Sequence, residues 1–222
     1  MLRKIKVSAK VIILNYKIKH QMNDMDSQNA INILVAINLL VSISANYSGA
    51  KKGLKTSITK VVERPATFLQ KVPPNIAALV LILTILSIFK IGSLTDNFET
   101  QFENIRIAGL IIFLVFSWLQ VWAYKSLGKD YAQDVVILKE HQLHTTGIYK
   151  FIRHPQYISQ ILSDLGAGLA LLSFTVVPIV ILFELPLFIM RALVEDKMLQ
   201  KYFGEKFSAY KKQSGFIVPF IG

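Results

Sequence analysis

The run IRIAGLIIFLVFSWLQVWAY, residues 105–124, decides the fold. A helix needs about 20 mostly apolar residues to cross the roughly 30 Å hydrocarbon core of a bilayer. This run has that length, and it ends in Trp118, Trp122 and Tyr124, residue types that favour the membrane–water interface. Residues 75–91, NIAALVLILTILSIFKI, form a second such run after Pro73 and Pro74. A third, residues 30–47, carries Asn32, Asn38, Ser42, Ser44 and Asn46, whose side chains are expected to face other helices rather than lipid. The apolar region 157–193 is too long for one span, and Ser173, Phe174 and Thr175 lie near its middle with Pro178 soon after. It reads as a helical hairpin, residues 157–172 and 176–193. Each arm is slightly short, so the pair is expected to tilt or to thin the bilayer. The expected architecture is an all-α integral membrane protein of about five transmembrane helices, the last two a hairpin.

Composition agrees. Of the 222 residues, 53% are hydrophobic and the mean hydropathy is +0.46, a balance a soluble domain of this size rarely reaches because it must cover its surface with polar groups. The net charge of +11 suits either nucleic acid or an anionic membrane surface. In so apolar a chain the membrane reading prevails and no nucleic-acid partner is expected. There are no cysteines, which excludes disulfides, thiolate zinc sites and a cysteine nucleophile.

Orientation follows from Lys and Arg, which collect on cytoplasmic loops. Lys51, Lys52, Lys55, Lys60, Arg64 and Lys71 follow the first helix, and Lys125, Lys129, Lys139, Lys150 and Arg153 follow the third. Lys197, Lys201, Lys206, Lys211 and Lys212 lie near the C-terminus, whereas Asp96, Glu99 and Glu103 separate the second and third helices. The acidic loop is therefore expected outside and the other three segments in the cytoplasm. Residues 1–29 would then fall outside despite Arg3, Lys4, Lys6, Lys10, Lys17 and Lys19; either they lie on the membrane surface, or the natural start is Met22 or Met25. The expected division is a basic extension (1–29), three transmembrane helices (30–124), and a functional region (125–222) with a cytoplasmic loop, the hairpin and a tail.

Two groups of residues could carry chemistry. The first, His141-Gln142-Leu143-His144-Thr145-Thr146-Gly147-Ile148-Tyr149 and then Arg153-His154-Pro155-Gln156-Tyr157, sits just before the hairpin. Alone it also reads as a juxtamembrane anchor, with Arg153 and His154 at the headgroups. The second comprises Arg191, Glu195 and Asp196, then Phe203-Gly204 through Tyr210. Arg191 and Glu195 share a helix face, which alone is an ordinary ion pair; Asp196 points about 100° away and is expected to matter less. Because a hairpin returns the chain to the side it left, both groups can meet at one cytoplasmic mouth. That suits a charged cosubstrate from the cytosol and an apolar one from lipid.

The ordered set H-x-L-x-T-x-G-x-Y, RHPxY, an apolar hairpin, R-x-x-x-E-[DE], then FG-x-x-[FY]-x-x-Y resembles the isoprenylcysteine carboxyl methyltransferase family and its prokaryotic membrane relatives. The motifs cover residues 127–219. The resemblance implies a membrane-embedded, S-adenosylmethionine-dependent methyltransferase without a Rossmann domain, consistent with the lack of a GxGxxG loop. It implies cofactor contacts at His141, Gln142, Leu143, His144, Tyr149, His154, Pro155, Tyr157 and Glu195, and an acceptor-orienting role for Arg191. Arg153 or a backbone N–H would suit the cofactor carboxylate. The acceptor would be a lipophilic small molecule or a lipidated chain drawn from membrane lipid, including an isoprenylcysteine-like carboxylate. The sequence departs from the family at His144, where Val is usual, at Ser159, where Gly is common, and at Asp134, where a cofactor-contacting Gln is expected.

Three rivals stay open. A zinc site could use Glu140, His141 and His144, although no metal is expected. An NADPH-dependent membrane sterol-type reductase has a similar C-terminal pattern. A non-catalytic membrane scaffold could keep the same fold. Asp164 and Glu184 are carboxylates within the hairpin, where charge is costly. Asp164 is expected to be held by Gln160, Ser163 or backbone, and Glu184 to line the acceptor's path with Arg191, favouring an acceptor that also bears an amine.

Overall fold

The structure is a computed structural model that describes residues 30–47, 51, 61–128, 134–138, 141–219 and 221. The basic extension 1–29 lies outside the described residues. The first helix, α1, is Ala30–Tyr47. A short strand β1 (Val61–Glu63) leads to a 3₁₀ turn at Phe68–Gln70, started by the Thr67 hydroxyl accepting from Leu69 N–H. Helix α2 (Val72–Ile88) follows with a proline in its first turn, where the missing N–H costs nothing. Helix α3 (Asp96–Gln101) precedes the long α4 (Glu103–Leu127), which ends at Gly128 with φ +53°. Strand β2 (Ile137–Leu138) and a 3₁₀ turn (Gly147–Lys150) lead into α5 (Pro155–Ala170), again opened by proline. Helix α6 (Val176–Ile179) runs through a π turn (Val180–Glu184) into α7 (Leu185–Phe203), and Gly204 then turns the chain into α8 (Glu205–Gln213). The wider π turn falls just before Pro186, which cannot donate to residue 182.

The chain is an all-α integral membrane protein apart from one small sheet. Among the described residues four helices are long and apolar enough to cross a membrane: Ala30–Tyr47, Phe68–Ile88, Glu103–Leu127 and Val176–Phe203. Helix α5, with 16 residues, is shorter than a full span. It nonetheless packs antiparallel to the helix that follows: Tyr157 near its start meets Phe188, with ring centroids 5.3 Å apart, and a Cβ on Gly168 near its end would meet Val176. The second arm does not stop at residue 193 but continues to Phe203. Glu195 and Asp196 therefore lie on one continuous helix with Arg191.

The polar residues of α1 divide. Asn38 donates to Ser117 Oγ (2.9 Å) and accepts from Trp118 Nε1 (3.1 Å), while Asn32 donates to Ile88 O (3.2 Å). These two face other helices as expected. Ser42 is also buried, though it donates to Leu39 O of its own helix, whereas Ser44 is exposed and donates to Leu40 O, which satisfies a hydroxyl without a second helix.

Helices α4 and α5 approach backbone to backbone. A Cβ on Gly109 would lie 2.5 Å from Ala170 N and 2.8 Å from Gly166 O; one on Gly166 would lie 2.5 Å from Phe113 N and 2.8 Å from Gly109 O. Lipid tails are as apolar as leucine, so such helices associate through close packing that small residues permit. The colliding atoms are main chain and cannot rotate aside. Gly166→Ala is expected to cost about 1–3 kcal/mol or more, read as a lower midpoint in denaturant titration of the purified protein. An unchanged midpoint would mean that the crossing is looser than this.

One small sheet departs from the all-α expectation. Strands β1 and β2 pair antiparallel, Val61 with Leu138 and Glu63 with Ile137. The Arg64–Asp134 ion pair (2.9 Å) and the Gln70 side chain, which donates to Val135 O and accepts from its N–H, extend the contact. The segment before α2 is thereby joined to the one before α5, beside the pocket described next.

Candidate active site

One cavity of about 270 Å³ opens among the first turns of α2 and α5, the last turns of α4 and the middle of α7, near the lower limit of the roughly 300–1,000 Å³ common for small-molecule sites. His141, Gln142, Leu143, His144, Tyr149, Arg153, His154, Pro155, Tyr157, Arg191 and Glu195 all line it. Two stretches some 35–50 positions apart in sequence are thus brought together by the α5–α7 pairing.

Tyr157 joins the two stretches. Its phenol donates to Glu195 Oε2 (2.7 Å) and accepts from Arg191 Nε (3.1 Å). Arg191 is buried and also donates to Leu69 O (2.9 Å) and Gln70 O (3.2 Å), so the turn before α2 holds it from the other side. The His154 ring stacks parallel on Tyr157, with centroids 5.6 Å apart. This aromatic pair, flanked by a guanidinium and a carboxylate, forms one wall.

Glu195 and Asp196 do different work. The Glu195 side chain is 34% exposed and that of Asp196 only 9%. Asp196 accepts from Arg153 Nε (3.2 Å) and bonds His154 Nε2 (2.8 Å). Arg153 further donates to Lys211 O and Ser214 O, and lies 5.7 Å from the Phe216 ring centre. The expectation that Asp196 matters less rests on a helical wheel, and a wheel cannot show that the buried side is where the RHP segment packs. Arg153 borders the cavity, but these donors point to Asp196 and the C-terminal segment rather than into the space.

That segment clamps the site from below. Arg153 N–H donates to Gly215 O (2.8 Å), His154 N–H to Phe216 O (3.3 Å), and Gly215 N–H to Phe151 O (2.9 Å). Tyr210 donates to Tyr149 O (2.6 Å). Burial, with the Glu195 charge adding to it, raises the Tyr149 phenol well above its ordinary value of 10. Burial likewise raises Tyr210 to about 12. Both therefore stay neutral through the physiological range.

Several lining residues carry no motif: Gln120 and Tyr124 from α4, Gln160 from α5, Phe188 from α7, and Pro74 and Ala77 from α2. Asp134, where the family pattern has a glutamine, borders the cavity while paired to Arg64. His141 packs edge-on against Phe203 (5.7 Å). Among the described residues no three His, Asp or Glu side chains are placed to hold a metal; Glu140, part of the zinc alternative, lies outside them.

Residues 105–206 match the family model described as phospholipid methyltransferase. The chain is 29% identical over 115 residues to protein-S-isoprenylcysteine O-methyltransferase of Tribolium castaneum, covering 51% of this chain and 41% of that protein. It is 29% identical over 117 residues to the Saccharomyces cerevisiae protein of the same name, covering 52% and 49%. In fold it matches a solved eukaryotic intramembrane Ras methyltransferase, an isoprenylcysteine carboxyl methyltransferase, with TM-score 0.58, 20% identity, and coverage of 86% of this chain and 68% of that one. The chain is similar in sequence and in fold to the isoprenylcysteine carboxyl methyltransferases. It spans less than half the length of the two curated relatives. The family-model match takes in α4 nearly entire, α5, the π turn and α7, the elements that build the cavity walls.

Proposed function

We propose that the cavity is the site of an S-adenosylmethionine-dependent methyltransferase acting on a lipophilic acceptor, with an isoprenylcysteine-like carboxylate as the substrate class the relatives favour. The observation that carries this reading is the convergence of the RHPxY and R-x-x-x-E-[DE] residues on one cavity, with Tyr157 bonded to both Glu195 and Arg191. The cofactor supplies an electrophilic methyl group on a sulfonium cation. The residues fit such a group. Glu195 offers a partly exposed carboxylate to amino or hydroxyl donors, and the neutral ring of Tyr149, which lines the cavity, is of the kind that attracts a cation by roughly 0.5–2 kcal/mol. Residues 141–144 line the same cavity. Arg153 is assigned a positioning role, because its hydrogen bonds hold Asp196 and the C-terminal segment.

Methyl transfer to a carboxylate needs no strong base. It needs alignment and exclusion of water. Arg191 would align the acceptor group: it borders the cavity, and Tyr157 with the Leu69 and Gln70 carbonyls fixes its plane. Glu195→Ala is expected to raise the cofactor dissociation constant roughly tenfold or more, the loss of a charge-assisted hydrogen bond of about 1.5–3 kcal/mol. Arg191→Lys, which loses the planar fork, is expected to lower turnover while cofactor affinity stays near wild type. Equilibrium binding of labelled cofactor, with NADPH as competitor, and transfer of the labelled methyl group to a membrane lipid extract together test both. Displacement by NADPH would favour a reductase, and no binding at all would favour a scaffold.

We also propose that the cavity faces the cytoplasm. A cysteine placed at Thr100 is expected to react with an impermeant thiol reagent in intact cells, and one at Gln142 is not. The reverse labelling would put the site on the wrong side for a cytosolic cofactor.

A further inference from the structure

One helical turn beneath the cavity, two carboxyl groups face each other inside the bundle. Gln160 lines the cavity, and Asp164 lies four residues on along α5; Phe188 lines it too, and Glu184 lies four residues back along the α6–α7 helix. Glu184 is fully buried, 0% exposed, and neither of its carboxylate oxygens has a hydrogen-bond donor. The titratable group against it is Asp164. Asp164 accepts from the Gln160 amide, and the Gln160 carbonyl accepts from Gln120. A polar file therefore runs from the cavity wall down to Glu184. Nothing in the methyl-transfer reading uses its lower end.

Two carboxyl groups in contact can bond each other only while one holds a proton. The pair so held has a single donor of its own, the shared proton, beside the one amide from Gln160. Carboxyl groups at this depth ordinarily face a partner or a cavity, and here four carboxyl oxygens share two donors. We propose that Asp164 and Glu184, reached from the cavity past Gln160 and Phe188, form a subsite for the protonated amine of a lipophilic ligand. An ammonium brings three donors and a positive charge, which answers what the pair lacks. Ile161 lies within a turn of Asp164, and Val180 and Phe188 within a turn of Glu184; all three belong to one buried apolar cluster, so the remainder of the ligand must be apolar. A divalent cation fits poorly, since magnesium or calcium takes six or more oxygens. Arg191 stands seven residues along from Glu184, about 10 Å by helical rise. Cationic and anionic groups of ligands would therefore be held at different heights along one helix. The subsite stands whether or not S-adenosylmethionine is the cosubstrate above it.

The test uses the full chain in phosphatidylcholine nanodiscs, with empty nanodiscs as the partition blank. A 14-carbon alkylamine, the alcohol of equal length and the carboxylic acid of equal length are titrated by calorimetry. The amine is expected to bind wild type at least tenfold more tightly than the alcohol. Glu184→Gln is expected to bring that ratio to near one while alcohol affinity holds, and Glu184→Asp to retain the preference. Should Glu184→Gln lose the alcohol as well, Asp164→Asn carries the same comparison. Equal affinity of wild type for amine and alcohol, or a preference that survives in both amide variants, overturns the proposal. The result is independent of cofactor binding, so its failure and the failure of the methyltransferase reading are told apart.

Discussion

Asp196→Ala is expected to destabilise the protein by about 3–5 kcal/mol, because it strips a buried ion pair of one partner. The carboxylate is shared between two nearly inaccessible groups, with the Arg153 side chain 2% and the His154 side chain 3% exposed. Without it Arg153 keeps the Lys211 and Ser214 carbonyls but loses the Asp196 carboxylate, and His154 loses the bond that orients its ring against Tyr157. The damage should therefore spread to the C-terminal clamp at Gly215 and Phe216, and binding at the cavity should weaken with it. Asp196→Asn keeps the shape and one acceptor, so it is expected to fall between wild type and alanine. Glu195→Ala is expected to behave in the opposite manner: a third of that side chain is exposed, so binding should suffer while stability changes little. Denaturant unfolding of the three variants, alongside ligand binding, checks the order. Equal stability of the two alanine variants would place Asp196 with the ordinary surface ion pairs.

This contrast shows how far a sequence carries. Long apolar runs are legible because the bilayer fixes their length, and α1, α2 and α4 begin and end within a few residues of the runs at 30–47, 75–91 and 105–124. The hairpin turn near Ser173 is legible for the same reason. That eleven motif residues gather in one place is legible because their motifs keep order and spacing, and all of them border one cavity; their roles there are what the proposed variants test. What sequence does not give is pairing between segments far apart. The β1–β2 sheet joins residues some 75 positions apart through two very short strands, too short to show an alternating pattern. Gly109 and Gly166 each look like an isolated glycine until the helices are set side by side. Gln70, whose side chain and carbonyl meet Val135 and Arg191, has no pattern around it at all. Asp196 fails to stand out because its neighbour Glu195 occupies the exposed face that a motif search favours.

The other large effect is expected at the far end of the bundle. Arg106, in the first turn of α4, is 1% exposed and stands about 20–30 Å from the cavity by helical rise. Its guanidinium pairs with Glu99 of α3 (3.2 Å), donates to Ala170 O at the end of α5 (3.0 Å), and donates to Asn32 Oδ1 of α1 (2.8 Å). Asn32 in turn holds Ile88 O at the end of α2. One side chain thereby ties together five helices whose association gains little from the hydrophobic effect, since lipid is the competing solvent. Arg106→Met is expected to cost about 3–5 kcal/mol by leaving Glu99 buried with less countercharge. Lys90 lies 3.7 Å from Glu99 and is expected to compensate only in part. In the double variant Arg106→Met, Glu99→Gln the stranded charge is gone, so part of the loss should return. A double-mutant cycle in denaturant measures that coupling. Stability should fall in Arg106→Met while ligand affinity in the folded protein stays near wild type, because the cavity is built at the opposite ends of α4 and α5. A parallel loss of affinity would mean that the two ends of the bundle are mechanically coupled through the Gly109–Gly166 crossing.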